Sequence, residues 1–229
     1  MPSYPISTRV APHRRSGRPV GLLVAALTAA FLALGALIPA EARAAEAGDD
    51  APGKAHPKAS PAALDAMRPL AAQIGDSEPL EVHETPKGMA AFTFFDADDQ
   101  PVTVADFRGQ IVLLNFWATF CAPCLHEMPA LDRLQAQLGG DAFQVVTVNL
   151  DLAGKQRPLA WLETNNIDGL AFFSDRKWAG PRALGAPAMP TTLLIDRSGR
   201  EVARLKGAAE WDAEVAVQAI EMLINDAGS

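Results

Sequence analysis

The sequence predicts an α/β domain with a mixed central sheet and helices on both faces. Three observations support this prediction. Short apolar runs typical of strands alternate with helical patterns over residues 89–224. One of these runs, Ile111–Trp117, leads through a short turn directly into a helical pattern. A turn at Ser198-Gly199 joins the last two predicted strands as an antiparallel hairpin.

The domain is expected to open with a hairpin. Ala91–Phe95 and Val102–Val104 have the composition of short strands, and the acidic segment 96–100 between them indicates an exposed turn. Residues 105–109 then form a single turn before the next strand. Because every residue of Ile111–Trp117 except Asn115 is apolar, we predict a strand that is buried on both faces.

The longest predicted helix runs from about Cys121 to Leu138. Its apolar residues recur at steps of three and four, and Gly139-Gly140 ends the pattern. The other predicted elements of the domain are strands at Gln144–Leu150, Ala171–Phe173, Leu193–Asp196 and Glu201–Leu205, and helices at Lys155–Asn165, Trp178–Leu184 and Trp211–Ile224.

Residues 1–44 have the features of a segment that targets the chain to a membrane. A basic tail precedes the uninterrupted apolar run Val20–Ile38. Its 19 residues suit a retained anchor, whereas the small residues at Ala42-Arg43-Ala44 suit cleavage near Ala44, so both outcomes stay open. Residues 45–88 are expected to be a linker with one helix over Pro61–Gly75, and the domain itself is expected to span residues 89–229.

Cys121 and Cys124 are the only cysteines in the chain, and they open the predicted helix. The unpaired N–H groups and the dipole at a helix N-terminus stabilise a thiolate, so Cys121 is the predicted nucleophile. Cys124 lies one turn deeper and is the predicted resolving thiol. A structural disulfide this short would add little stability. A structural zinc site would need four ligands, and only His126 is close in sequence.

The segment NFWATFCAPCLHEMPAL, residues 115–131, resembles the active-site segment of TlpA-like thiol:disulfide interchange proteins. The similarity extends from about Phe92 to Ile224 and implies a thioredoxin-like fold. In that fold the first two strands are an N-terminal hairpin extension. The helix at Lys155–Asn165 and the strand at Ala171–Phe173 are a central insertion. The resemblance also implies a thiol–disulfide oxidoreductase that needs no cofactor or metal.

The resemblance assigns further residues to the site. Met189-Pro190 matches the cis-proline loop, where a substrate strand is expected to pair. We expect four residues to contact substrate: Phe120, Pro123, Met189 and Pro190. Asn115 stands where thioredoxins commonly carry a buried aspartate. Glu127, one turn after Cys124, is therefore the predicted proton-transfer group, and a surface charge on the helix is the alternative for it.

The net charge of the chain and its predicted location indicate which partners it can have. After position 44 there are 15 basic and 26 acidic residues, a net charge of −11, which disfavours nucleic acid. We expect a monomer, held in the inner membrane by its N-terminal segment or released into the periplasm after cleavage. It would be reduced by a membrane electron donor and would itself reduce disulfides of extracytoplasmic proteins. The family resemblance indicates targets in respiratory cytochrome assembly, either the copper centre of the oxidase or cytochrome c.

Two other functions are weighed against this one. A Cu(I)-binding chaperone could use both thiolates together with His126, because soft thiolates suit Cu(I). A thiol peroxidase is disfavoured, since Thr119 stands one residue closer to Cys121 than the T-x-x-C spacing of those enzymes requires.

Overall fold

The computed structural model describes residues 56–228 of the 229-residue chain. The predicted targeting segment, residues 1–44, lies outside the described residues. Across the described range, every helix is either too short or too polar to cross a bilayer.

The described residues form one eight-stranded mixed sheet with helices packed against it. Its strands are β1 (Glu81–Lys87), β2 (Phe94–Asp96), β3 (Pro101–Val102), β4 (Ile111–Trp117), β5 (Phe143–Asn149), β6 (Phe172–Ser174), β7 (Thr191–Ile195) and β8 (Glu201–Lys206). Its helices are α1 (Pro61–Ala71), α2 (Ala122–Leu138), α3 (Gln156–Thr164), α4 (Ala179–Ala183) and α5 (Glu214–Ile224), with a 3₁₀ turn at Val104–Phe107.

Strand β4 lies inside the sheet, parallel to β5 on one side and antiparallel to β7 on the other. The order across the sheet is β1-β8-β7-β4-β5-β6-β2-β3. Antiparallel pairing of β7 with β8 confirms the predicted closing hairpin. The predicted mixed sheet is therefore confirmed, and the strand that precedes the cysteines is held by neighbours along both edges.

Alternate side chains of β4 enter two separate cores, as the two-residue period of a strand requires. Ile111, Leu113 and Trp117 belong to the core that also contains apolar residues of α1, α2, α3 and α5. Val112, Leu114 and Phe116 belong to the core on the opposite face, against which the 3₁₀ turn and α4 pack. Both faces of β4 are thus covered, and Asn115 shares the face of α2.

The predicted hairpin extension and the predicted insertion lie side by side. β2 pairs with β3 through Phe94 and Val102, and it also pairs with β6 through Phe95 and Ser174. α3 and β6 lie between β5 and β7 in the chain, so they form the predicted helix–strand insertion. Both features extend the same half of the sheet, away from β7.

The predicted linker over residues 45–88 is wrong at β1. β1 pairs antiparallel with β8, through Val82 and Ala203 among others, and forms one edge of the sheet. α1 packs against β1 and α5 and buries Leu64 and Met67 completely or almost so. β1 could not be predicted from the sequence, because only His83 of its seven residues is buried and the strand lacks an alternation of apolar and polar residues. An edge strand needs only part of its side chains in the core.

Candidate active site

Cys121 lies at the junction between the sheet and α2. β4 ends at Trp117, a turn follows, and Cys121 is the N-cap residue of α2. Its Sγ accepts the N–H of Cys124 at 3.3 Å, in the place where a capping oxygen usually stands. The same N–H and the helix dipole would stabilise a thiolate at this position. Pro123 lies in the first turn of the helix, where its missing N–H costs nothing.

Cys121 and Cys124 are joined in a disulfide, with their Cα atoms 5.3 Å apart. Cys124 is completely buried, and Cys121 is 8 % exposed. Cys124 is thus the more deeply buried of the two residues, and the roles of nucleophile and resolving thiol stay predictions. Cys121 keeps a small exposed fraction although it is largely buried. The neighbouring residues Phe120, Ala122 and Pro123 are exposed.

The Met189–Pro190 peptide bond is cis, as predicted. Pro190 directly precedes β7, and Thr191 pairs with Phe116 at the end of β4 from which the active-site turn departs. The loop therefore lies next to the cysteine-bearing turn. Met189 is half-buried, and the carbonyl of Pro190 accepts the N–H of Gly207 at 2.9 Å.

Glu127 is buried beneath the helix, with only 1 % of its surface exposed. One carboxylate oxygen accepts the amide of Asn115 at 2.8 Å. The other accepts the backbone N–H of Ala209 at 3.2 Å and the indole N–H of Trp211 at 3.1 Å. These contacts exclude the alternative of a surface charge on α2.

Burial raises the pKa of the Glu127 carboxyl from 4.5 to about 7. The three N–H donors favour the carboxylate and lower this pKa, but the cost of removing the charge from water exceeds their effect. The carboxyl therefore changes its protonation state near neutral pH, where a group that exchanges protons with a thiol is useful.

Asn115 holds Glu127 in place from the central strand. Its side-chain N–H₂ donates to Glu127 and, at 2.9 Å, to the hydroxyl of Thr192. Its side-chain oxygen is buried and has no hydrogen-bond partner within residues 56–228. The side-chain oxygen of Asn115 can therefore still accept a hydrogen bond, and Asn115 contacts the carboxyl of Glu127, which can take up a proton.

A second buried carboxylate, which the sequence analysis missed, fixes the turn before the cysteines. Asp151 follows β5 and accepts the hydroxyl of Thr119 at 2.6 Å and its backbone N–H at 2.9 Å. Asn149 donates to the same carboxylate at 2.8 Å. The sequence signal was an Asn-x-Asp at the end of a strand, but its partner lies 32 residues earlier.

Replacing Asp151 with asparagine is expected to destabilise the protein by about 2 kcal/mol. The amide would place an N–H₂ group, which cannot accept, opposite the donors of Thr119 and Asn149, so at least one of these donors would lose its acceptor. Denaturant unfolding measures this loss. The exposed Asp141 is the matched control, and Asp141→Asn should stay within about 0.5 kcal/mol of the wild type. Equal stabilities of the two variants would contradict the structural role given to Asp151.

A cleft of about 330 Å³ opens beside α2. The residues that line it are His126, Glu127, Ala130, Arg133, Ala209, Glu210, Asp212 and Ala213. Arg133 and Asp212 form an ion pair at 2.5 Å among these residues. Glu127 therefore lines this cleft although the residue is almost wholly buried.

His126 is exposed on α2. Within residues 56–228 no three His, Cys, Asp or Glu side chains are grouped so that they could hold a metal ion.

The fold and the site together define the class of this protein. A CxxC disulfide at a helix N-terminus, a cis-proline loop beside it and a mixed sheet beneath them make it a thioredoxin-like thiol:disulfide protein. The Redoxin family model matches residues 85–220, more than half of the chain, so the chain belongs to the Redoxin family. The predicted TlpA-like class and the thioredoxin-like fold are confirmed.

Individual relatives agree with this class. The thioredoxin-like protein YneN of Bacillus subtilis is 35 % identical over 42 % of this chain, which spans only 56 % of the length of YneN. The thiol-disulfide oxidoreductase ResA of Bacillus thuringiensis is 27 % identical over 56 % of this chain and 72 % of its own length. A protein from Chlorobium tepidum described as the thiol:disulfide interchange protein DsbE has a crystal structure that aligns with a TM-score of 0.55. It is 30 % identical over 61 % of this chain and 97 % of its own.

Proposed function

We propose that the chain is a periplasm-facing thiol–disulfide oxidoreductase that reduces disulfides of other extracytoplasmic proteins. The observation that supports this most directly is the disulfide between a capping sulfur and a sealed inner sulfur in one helical turn. A relative named thiol-disulfide oxidoreductase and a structural relative described as a thiol:disulfide interchange protein support the same activity.

The reaction proceeds through two sulfur exchanges. The Cys121 thiolate attacks one sulfur of the substrate disulfide, the substrate S–S bond breaks, and the released substrate thiolate takes up a proton. The thiol of Cys124 then loses its proton and attacks Cys121, which breaks the mixed disulfide and frees the second substrate thiol. Two electrons pass to the substrate in total, and an upstream membrane donor restores the dithiol.

Glu127 serves the second exchange. It lies one turn after Cys124 on α2, is buried with it, and has a pKa of about 7. A carboxylate there can accept the proton that the buried Cys124 must lose. Asn115, which cannot take up a proton at neutral pH, orients this carboxylate.

The reducing direction follows from the residues between the cysteines. Ala122-Pro123 offers no charged or histidine side chain to stabilise the reduced form.

The basic tail and the apolar run Val20–Ile38 support a retained inner-membrane anchor, with cleavage near Ala44 as the alternative. The proposed targets are proteins of respiratory cytochrome assembly, as the resemblance to TlpA-like proteins suggests.

The reduction potential of the cysteine pair tests this proposal. Equilibration of the purified protein with dithiothreitol or glutathione buffers should give a potential more negative than about −200 mV, and the reduced protein should cleave the disulfides of insulin. The double variant Cys121→Ser, Cys124→Ser is the control and should show neither property. A potential near the roughly −120 mV of a strong periplasmic oxidant would reverse the proposed direction.

A further inference from the structure

A network of hydrogen bonds connects the β1 edge of the sheet to the loop that contains the cis peptide bond. It includes His83 of β1, which is only 5 % exposed and lies before residue 85, where the match to the Redoxin family begins. Its Nε2 lies 2.9 Å from Oε1 of Glu201 on β8, a residue 118 positions later. Because a carboxylate can only accept, Nε2–H is the donor in this contact.

Glu201 connects His83 to Arg204. Nε of Arg204 donates to Oε1 of Glu201, and Nη2 donates to Oε2, each at 2.7 Å. Pairing through two parallel bonds fixes the orientation of the guanidinium as well as its position. Burial by itself would raise the pKa of the Glu201 carboxyl, but the hydrogen bonds from Arg204 and His83 hold this pKa below its usual value. Glu201 is therefore a buried carboxylate with a donor on either side.

Arg204 also donates to the backbone that leads to the cis bond. Its Nη1 lies 2.9 Å from the carbonyl oxygen of Leu184 and 3.3 Å from that of Gly185. These two residues begin the cis-proline loop, residues 184–190. At the other end of this loop, the carbonyl of Pro190 accepts the N–H of Gly207, which directly follows β8. The loop is thus held at both ends from β8 or the residue after it.

The other end of the network is fixed by α1. Arg68 donates through Nη1 to the carbonyl of Val82 at 2.7 Å and through Nη2 to that of His83 at 2.9 Å. The pairing of β1 with β8 is irregular between Val82 and Lys87, so these contacts hold β1 where its ladder is interrupted. A continuous path of hydrogen bonds therefore runs from α1 through His83, Glu201 and Arg204 to the cis-proline loop.

We propose that His83, Glu201 and Arg204 position the cis-proline loop for the substrate strand, so that α1 and β1 contribute to substrate binding without touching the substrate. This inference rests on the proposed function, in which a substrate strand pairs with that loop. A loop that is already held in its binding conformation loses less freedom when the substrate pairs with it, so the substrate binds more tightly. The three side chains are positioning residues, because they act through the loop.

A purely structural role for the network predicts different kinetics. Loss of the loop position weakens substrate binding and raises KM, whereas loss of folded protein lowers kcat and leaves KM unchanged. The two Michaelis constants therefore distinguish positioning of the loop from simple stabilisation of the sheet edge.

Steady-state reduction of a fluorogenic peptide closed by one disulfide, with dithiothreitol as the reductant, measures both constants for the full-length protein. Arg204→Met should raise KM about tenfold and keep kcat within about twofold of the wild type. His83→Leu should raise KM by a smaller factor, about threefold, because Arg204 keeps its own bonds to the loop. The reduction potential of the cysteine pair should be the same in both variants as in the wild type, since the network ends at the loop.

Arg197→Met is the matched control for Arg204→Met. Arg197 also donates to backbone carbonyls, but to those of Leu223 and Ile224 at the end of α5. This variant should be less stable than the wild type and should keep its KM. His83→Gln is the conservative variant for His83→Leu, because a side-chain N–H₂ can take the place of Nε2–H, and its KM should stay within about twofold of the wild type.

Two results would overturn the inference. In the first, Arg204→Met keeps the wild-type KM or lowers kcat alone, which would leave the network a purely structural role. In the second, His83→Leu and His83→Gln have equal KM values, which would exclude β1 from substrate binding. If Arg204→Met does not fold, the two His83 variants decide the question by themselves. Failure of the proposed function is distinguishable from these results, because the wild type would then reduce neither the peptide nor insulin.

Discussion

Replacing Cys124 with serine is expected to stop turnover and to trap substrates on Cys121. The variant keeps the outer thiol at the helix N-terminus and can still attack a substrate disulfide, but no second thiol resolves the product. We expect multiple-turnover insulin reduction to fall by at least about a thousandfold. Mixed disulfides should accumulate, and they can be measured by mass spectrometry and by their disappearance on addition of dithiothreitol.

Cys121→Ser is the matched control for this trap. Its remaining thiol is completely buried, so it should capture little or no substrate and should be as inactive as Cys124→Ser in turnover. Capture by Cys121→Ser at the same rate as by Cys124→Ser would show that the roles of the two sulfurs are assigned the wrong way round.

The stability of the oxidised protein is expected to fall by about 3 kcal/mol between pH 4.5 and pH 7 through Glu127 alone. The pKa of this carboxyl rises from 4.5 to about 7 on folding, and each unit of pKa corresponds to about 1.4 kcal/mol. In this window the folded state binds more protons than the unfolded state, so the free energy of unfolding decreases as the pH rises. The contribution is fully present below pH 4.5 and is lost above about pH 7.

Urea unfolding of the wild type and of Glu127→Gln at several pH values measures this effect. Other groups titrate equally in both proteins, so the difference between the two free energies isolates Glu127. The wild type should lose about 3 kcal/mol relative to the variant as the pH rises from 4.5 to 7.5. The exposed Glu221 on α5 provides the control, since Glu221→Gln should follow the wild type at every pH. Parallel curves for the wild type and Glu127→Gln would disprove the raised pKa.

Elements with a strong local pattern were predicted from the sequence almost to the residue. β4 has the predicted bounds, and α2 begins and ends within a residue of its predicted limits. Strand propensity, a helix cap and an apolar period act over neighbouring residues, so one stretch of chain contains the information. The cis bond at Pro190 was different, because its prediction depended on the resemblance to a family rather than on local preference.

The sequence also placed Glu127 close to the cysteines but left its environment open. Its carboxylate is bound by Ala209 and Trp211, more than 80 residues later in the chain. The sequence analysis placed Trp211 at the start of the last helix, whereas α5 begins at Glu214 and Trp211 lies in the preceding turn. No local pattern in the sequence shows that the backbone N–H of Ala209 and the indole N–H of Trp211 both donate to this carboxyl.

By itself, therefore, the sequence determined the order of the strands and helices from β2 onward, the capping position of Cys121 and the position of Cys124 one turn further along the helix. These features depend on contacts within a few residues along the chain. Only the tertiary structure decided that β1 joins the sheet, that Asp151 fixes the turn before the cysteines and that Glu127 is buried with a raised pKa. Each of these depends on partners brought together from distant parts of the chain, where burial and the exclusion of water set the energies of charge and hydrogen bonding.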